Sequence, residues 1–128
     1  MKITLFTADK IRHNYLINLL SNTFDEVFVI QECFPKVSGV NFNSNIINEY
    51  FNKVNEAEIK IFDNNLKKLN RTNVKILRIN GGDLNNLDLP SKSEYFNSDA
   101  YIVFGSSYIK NDLVNFLINN NALNIHMG

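Results

Sequence analysis

Three observations predict an α/β/α three-layer fold on a mostly parallel sheet. Short apolar runs recur at Ile3 to Thr7, Val27 to Ile30, Val74 to Ile79, Ala100 to Phe104 and from Leu123 onward. Most are continuous rather than alternating, the pattern of strands covered on both faces. Between them lie segments whose apolar residues recur at three- and four-residue steps, the period of a helix. A parallel strand pair needs a crossover of about a dozen residues, and a helix supplies it.

The first strand, Ile3-Thr4-Leu5-Phe6-Thr7, turns through Ala8 to Ile11 into a helix over about Arg12 to Asn22, with an apolar stripe at Tyr15, Leu16, Leu19 and Leu20. Val27-Phe28-Val29-Ile30 is a second buried strand. Gln31 to Asn43 reads as a loop, punctuated by Pro35 and Gly39. A long helical pattern then runs from about Asn45 to Leu69 through Ile47, Tyr50, Phe51, Val54, Ala57, Ile61, Phe62 and Leu66, longer than one sheet crossing needs, so that either part of it projects beyond the sheet or it breaks near Asn55. Ser44 or Asn45 is the expected N-cap and Glu49 is expected to favour the first turn. Val74 to Ile79 alternates in part, which predicts one more exposed face. Leu84 to Leu89 is a short helical turn stopped by Pro90, and Ser91 to Ser98 is polar surface. Ala100 to Phe104 is strand four, Asn111 to Asn120 a helix, and strand five starts at Leu123. The order is that of a Rossmann-like layer architecture with about five strands in one domain, residues 1–128. Such sheets rarely end on a bare strand, so an incomplete domain is expected, with an exposed edge open to self-association.

Composition excludes several classes. Apolar residues make up 45% and charged residues 20% of the chain, which is ordinary for a globular domain. The formal net charge of +0 offers no basic face to nucleic acid. No apolar run reaches the roughly 18 residues of a membrane span, and no signal-peptide pattern opens the chain. The single Cys33 cannot form an internal disulfide, which suits a reducing cytoplasm.

Candidate chemistry gathers where ligands bind in open α/β sheets, at the carboxyl ends of strands. The turn after strand one has no glycine, so a dinucleotide fingerprint is missing. Arg12 and His13, near a helix N-terminus, could meet an anionic substrate group, against the simpler expectation of a solvated first turn. Gly81-Gly82 lacks the Lys-Ser or Lys-Thr of a phosphate loop and reads as a plain turn. The two histidines, His13 and His126, stand at opposite ends of the chain, and no metal-ligand spacing occurs. Asn124 and His126 are two apart on a strand, so they point to one face.

The succession of a buried strand, the loop Gly105-Ser106-Ser107-Tyr108-Ile109, a helix and then Asn124-Ile125-His126-Met127-Gly128 resembles the N-terminal catalytic domain of folate-dependent formyltransferases. That family includes the methionyl-tRNA, glycinamide ribonucleotide and sugar N-formyltransferases. The resemblance is loose over the whole chain and good over Asp99 to Gly128. It implies transfer of a formyl group from 10-formyltetrahydrofolate to a primary amine, a sugar nucleotide being one candidate acceptor. Asn124 would donate its amide to the oxyanion formed at the formyl carbon, and His126 would carry protons between amine and leaving nitrogen. Gly105, Ser106, Ser107, Tyr108 and Ile109 would line the pterin pocket, and Arg12 and His13 would contact the substrate. The family's catalytic Asp has no counterpart before Gly128, so the 128 residues alone are expected to be inactive. The alternatives are a non-catalytic Rossmann-like binding or regulatory module and, third, hydrolytic deformylation.

Overall fold

The computed structural model describes residues 1–33, 45–62, 71–89 and 92–126. In chain order the elements are β1 (Lys2–Ala8), α1 (Ile11–Thr23), β2 (Glu26–Cys33), α2 (Asn45–Phe62), β3 (Val74–Asn80), a 3₁₀ turn (Leu84–Asn86), β4 (Ala100–Phe104), α3 (Asn111–Asn119) and β5 (Leu123–Ile125). The sheet is parallel throughout, in the order β3-β2-β1-β4-β5. The fold is thus the Rossmann-like α/β architecture.

Alternation along the central strands divides the core in two. Ile3 and Leu5 of β1, Val27 and Val29 of β2, and Ile102 and Phe104 of β4 pack with Ile17 and Leu20 of α1. Phe6, Phe28, Ile30 and Tyr101 turn the other way, onto Leu113 and Leu117 of α3, Leu84 and Tyr95. Each fully buried Ile, Leu or Phe stabilises the fold by about 1.5–3 kcal/mol, so the two clusters are its main support.

Several expectations need correction. The buried side of α1 is His13, Ile17, Leu20 and Ser21, whereas Tyr15 and Leu19 of the expected stripe are exposed. Tyr15 instead meets Phe62 of α2, with ring centroids 5.0 Å apart. Gln31 and Glu32 are not loop residues but the buried end of β2. Their polar groups are tolerated there because each is hydrogen-bonded. Helix α2 runs unbroken through Asn55, and Glu49 lies beyond its first turn, paired with Lys53.

The polar-looking segment before β4 also does more than line the surface. Tyr95 is buried, and its carbonyl accepts a hydrogen bond of 2.7 Å from Thr4 Oγ1. Tyr101 Oη donates to the Phe96 carbonyl and accepts from the Ser98 N–H, fastening the segment over the sheet. Strand β5 is exposed at all three residues, as an edge strand with one neighbour allows. The proposed N-cap at Ser44, the helical tail through Leu66 to Leu69, the stop at Pro90 and the residues Met127 and Gly128 lie outside the described residues. Among the described residues no helix is long and apolar enough to cross a membrane.

Candidate functional site

The strand order places a reversal between β1 and β4. From β1 the chain steps outward through β2 to β3, then returns to the other side of β1 to add β4 and β5. At such a switch point the loops leaving the two strands diverge, and the crevice between them is where this architecture binds ligands. Here those loops are the one entering α1, which carries Arg12 and His13, and Gly105 to Lys110 entering α3. Thr7 and Phe104 face each other across the junction, and Thr7 Oγ1 donates to the Phe104 carbonyl at 2.7 Å.

His13 sits at this junction. Its imidazole is buried, stands edge-on to Phe104 at 4.8 Å between ring centroids, and lies directly against Gly105. Neither ring nitrogen has a hydrogen-bond partner among the described residues. Burial, and then the neighbouring Arg12 charge, push its pKa down to about 4. The Ala8 carbonyl and the Glu58 carboxylate pull the other way and are outweighed. His13 is therefore neutral near pH 7. Arg12 pairs with Glu58 of α2 through its guanidinium Nη1, while its buried Nε has no partner among the described residues. The pair that could have met an anion thus presents one neutral ring and one cation already engaged by a carboxylate.

A second cluster sets the loop after β4. Glu32, fully buried at the end of β2, accepts from the Ser107 N–H at 2.6 Å, from Ser107 Oγ at 2.7 Å and from the Gly82 N–H at 2.9 Å. One carboxyl group ties together the exits of β2, β3 and β4. Asn85 adds a second clamp, donating to the Tyr108 carbonyl and accepting from the Lys110 N–H, both at 2.8 Å. Of the loop residues expected to line a pocket, Ser107 is held inward by Glu32, while Tyr108 stands exposed. Ser106 Oγ donates to the Ser107 carbonyl. Ile109 packs at the edge of the second core.

Asn124 and His126 lie on the far side of β4 from this junction. The last register pair is Phe104 with Ile125, so the next positions along the two strands are Gly105 and His126. Both Asn124 and His126 are exposed, and neither side chain has a partner among the described residues. The expected site residues therefore fall along one carboxyl edge of the sheet. His13 and Gly105 touch, and Asn124 and His126 stand one strand further out.

No protein-family model, curated protein or solved structure matches this chain. The site must be judged on its own chemistry.

Glu32 escaped the sequence reading. It follows an apolar run as any loop residue would, and only the register with Ala8 of β1 and Ile79 of β3 makes it a buried strand end. Besides the crevice, an open groove of about 530 Å³ lies beside the end of β3, lined by Cys33, Arg78, Ile79, Asn80, Asp83, Asn86 and Leu87. Among the described residues no group of three or more His, Cys, Asp or Glu is placed to hold a metal ion.

Proposed function

We propose that this chain is the Rossmann-like part of a folate-dependent formyltransferase, serving transfer of a formyl group from 10-formyltetrahydrofolate to a small-molecule primary amine. One observation carries the reading: Asn124, paired with Val103, and His126, one position beyond the last register pair of Phe104 with Ile125, stand two apart at the exposed carboxyl end of β5, beside the start of the Gly105–Ile109 loop. Formyl transfer begins with attack of the amine on the formyl carbon and passes through a tetrahedral oxyanion. The Asn124 amide is the donor for that oxygen, a role worth about 3–4 kcal/mol where it has been measured elsewhere. The His126 imidazole takes the proton from the attacking amine and returns it to the departing folate nitrogen. The pterin would lie along the loop that Glu32 and Asn85 hold in shape. The single half-buried thiol of Cys33 accords with work in a reducing cytoplasm.

Titration with 5-formyltetrahydrofolate, a stable analogue, tests the pocket. Saturable heat, with amide shifts at Gly105 to Ile109 and at His126, is the expected result. No binding at millimolar ligand would sink the reading. In any form of the protein that transfers formyl groups, Asn124→Ala is expected to lower kcat by about 100- to 1000-fold.

The second reading, a non-catalytic binding module, draws on the openness of β5. Among the described residues nothing fixes the orientation of the His126 ring. Ligand binding that survives Asn124→Ala and His126→Ala together, with no transfer, would favour it.

A further inference from the structure

Helix α2 carries more apolar surface than the domain uses. Its half-buried residues, Val54, Glu58 and Phe62 among them, mark the side that leans on α1 through Arg12–Glu58 and Tyr15–Phe62. At 3.6 residues per turn, Ile46, Tyr50, Ala57 and Ile61 fall within an adjacent arc of about 60°. All four are exposed, Ile46 by 80%, Ile61 by 71% and Tyr50 by 63%. Such a run of large apolar side chains along a surface helix marks an interaction site. Bordering it, on the side away from α1, is a second arc made of Glu49, Lys53, Glu56 and Lys60.

We propose that a second copy of this chain covers the stripe, with the two α2 helices antiparallel about a two-fold axis near Lys53 and Val54. The order of residues selects both the partner and the direction. Antiparallel, Ile46 lies opposite the other copy's Ile61, and Tyr50 opposite its Ala57, so that a large side chain meets a small one. In the same register Glu49 faces Lys60 and Lys53 faces Glu56. Every charged pair along the border is of opposite sign. A parallel pair would instead turn this charged border toward the side of the other copy's α2 that leans on α1, and Glu49, Lys53, Glu56 and Lys60 would lose these opposite-sign partners. The interface is isologous, as closed dimers require. The helix is 18 residues, about 27 Å, long. A stripe one helix wide is smaller than the roughly 800 Å² per partner of a tight complex, so the dimer is a weak one.

Sedimentation of the 128-residue chain from about 10 µM to about 1 mM, the range of weak association, tests this. A monomer–dimer equilibrium is expected within that range. Glu49→Lys with Glu56→Lys makes the border all basic, and Lys53→Glu with Lys60→Glu makes it all acidic. Each double variant is expected to remain monomeric alone, and the two mixed are expected to form a heterodimer. All four positions are exposed, so circular dichroism should show both variants folded. A wild-type monomer throughout the range overturns the proposal, and so does a dimer that both charge variants keep. Loss of the dimer on Leu123→Lys in β5, with the α2 variants still dimeric, would assign association to the sheet edge instead.

Discussion

The Nε2 atom of His13 lies 2.6 Å from where a Cβ on residue 105 would stand, and Cε1 lies 2.8 Å from it. Gly105 also holds φ at +63°, in the left-handed region that costs other residues about 1–2 kcal/mol. Two independent reasons thus require glycine where β4 leaves the sheet. Gly105→Ala is expected to lose about 2 kcal/mol or more, read as a lower urea midpoint. Adding His13→Ala should recover the steric share and leave the backbone share, so the two changes will not be additive. A midpoint unmoved by Gly105→Ala would show that the loop can step away from the ring.

The buried imidazole makes stability depend on pH in a definite direction. Below its ordinary value of 6.5 the unfolded chain takes up a proton at this residue, while the folded chain refuses it until about pH 4. The unfolded state binds more protons in that window, so stability falls as pH drops from 6.5 to 4, by up to about 3 kcal/mol. His13→Leu removes the titration along with two nitrogens that have no partner among the described residues. At pH 7 it should be close to neutral in stability. The difference between wild type and His13→Leu, followed by urea unfolding across that range, isolates this residue from the carboxylates. Parallel curves would contradict the burial.

The elements were legible in the sequence because strands and helices announce themselves by apolar period, and β4 was read to the residue. The failures share a cause. Glu32, Gln31 and Tyr95 are buried through partners distant in the chain: Ser107 and Gly82 for Glu32, Asn14 and Ala8 for Gln31, Thr4 for the Tyr95 carbonyl. Local pattern sees only a polar residue in each case of the first two, and a polar neighbourhood in the third. The α1 stripe failed for a related reason. An apolar residue can face the sheet, as Ile17 does, or another helix, as Tyr15 does, and periodicity does not tell these apart. The placement of Arg12, His13 and the Gly105 loop at one end of the sheet followed from the architecture. Their mutual contacts did not.

Glu32 is the brace of that loop. Truncating it to Ala leaves the Ser107 N–H, the Ser107 hydroxyl and the Gly82 N–H without their acceptor. Each donor stranded in a buried site costs about 1–3 kcal/mol, with partial relief from entering water. A loss of about 3 kcal/mol is expected for Glu32→Ala, with faster amide exchange at Ser107 and Gly82 than at the centre of β1. If exchange at Ser107 is unchanged while stability falls, Glu32 supports β2 and not the loop.

Arg12 and Glu58 join the first crossover helix to the second, and their charges act in opposite senses on the ring beside them. Arg12 lowers the pKa of His13 and Glu58 raises it. Arg12→Met should therefore let His13 titrate above its wild-type value, and Glu58→Gln should push it lower, both readable from the imidazole carbon shifts. The ion pair is only partly exposed, 27% for the Arg12 side chain and 12% for Glu58. Removing Glu58 then leaves a guanidinium whose Nε already lacks a partner among the described residues, at an expected cost of about 2 kcal/mol. A double-mutant cycle over the two positions should return a coupling of about 1 kcal/mol or more. A coupling near zero, with the His13 titration unmoved by either change, would mean that the ion pair does not hold α2 to α1 and that contacts such as Tyr15–Phe62 do.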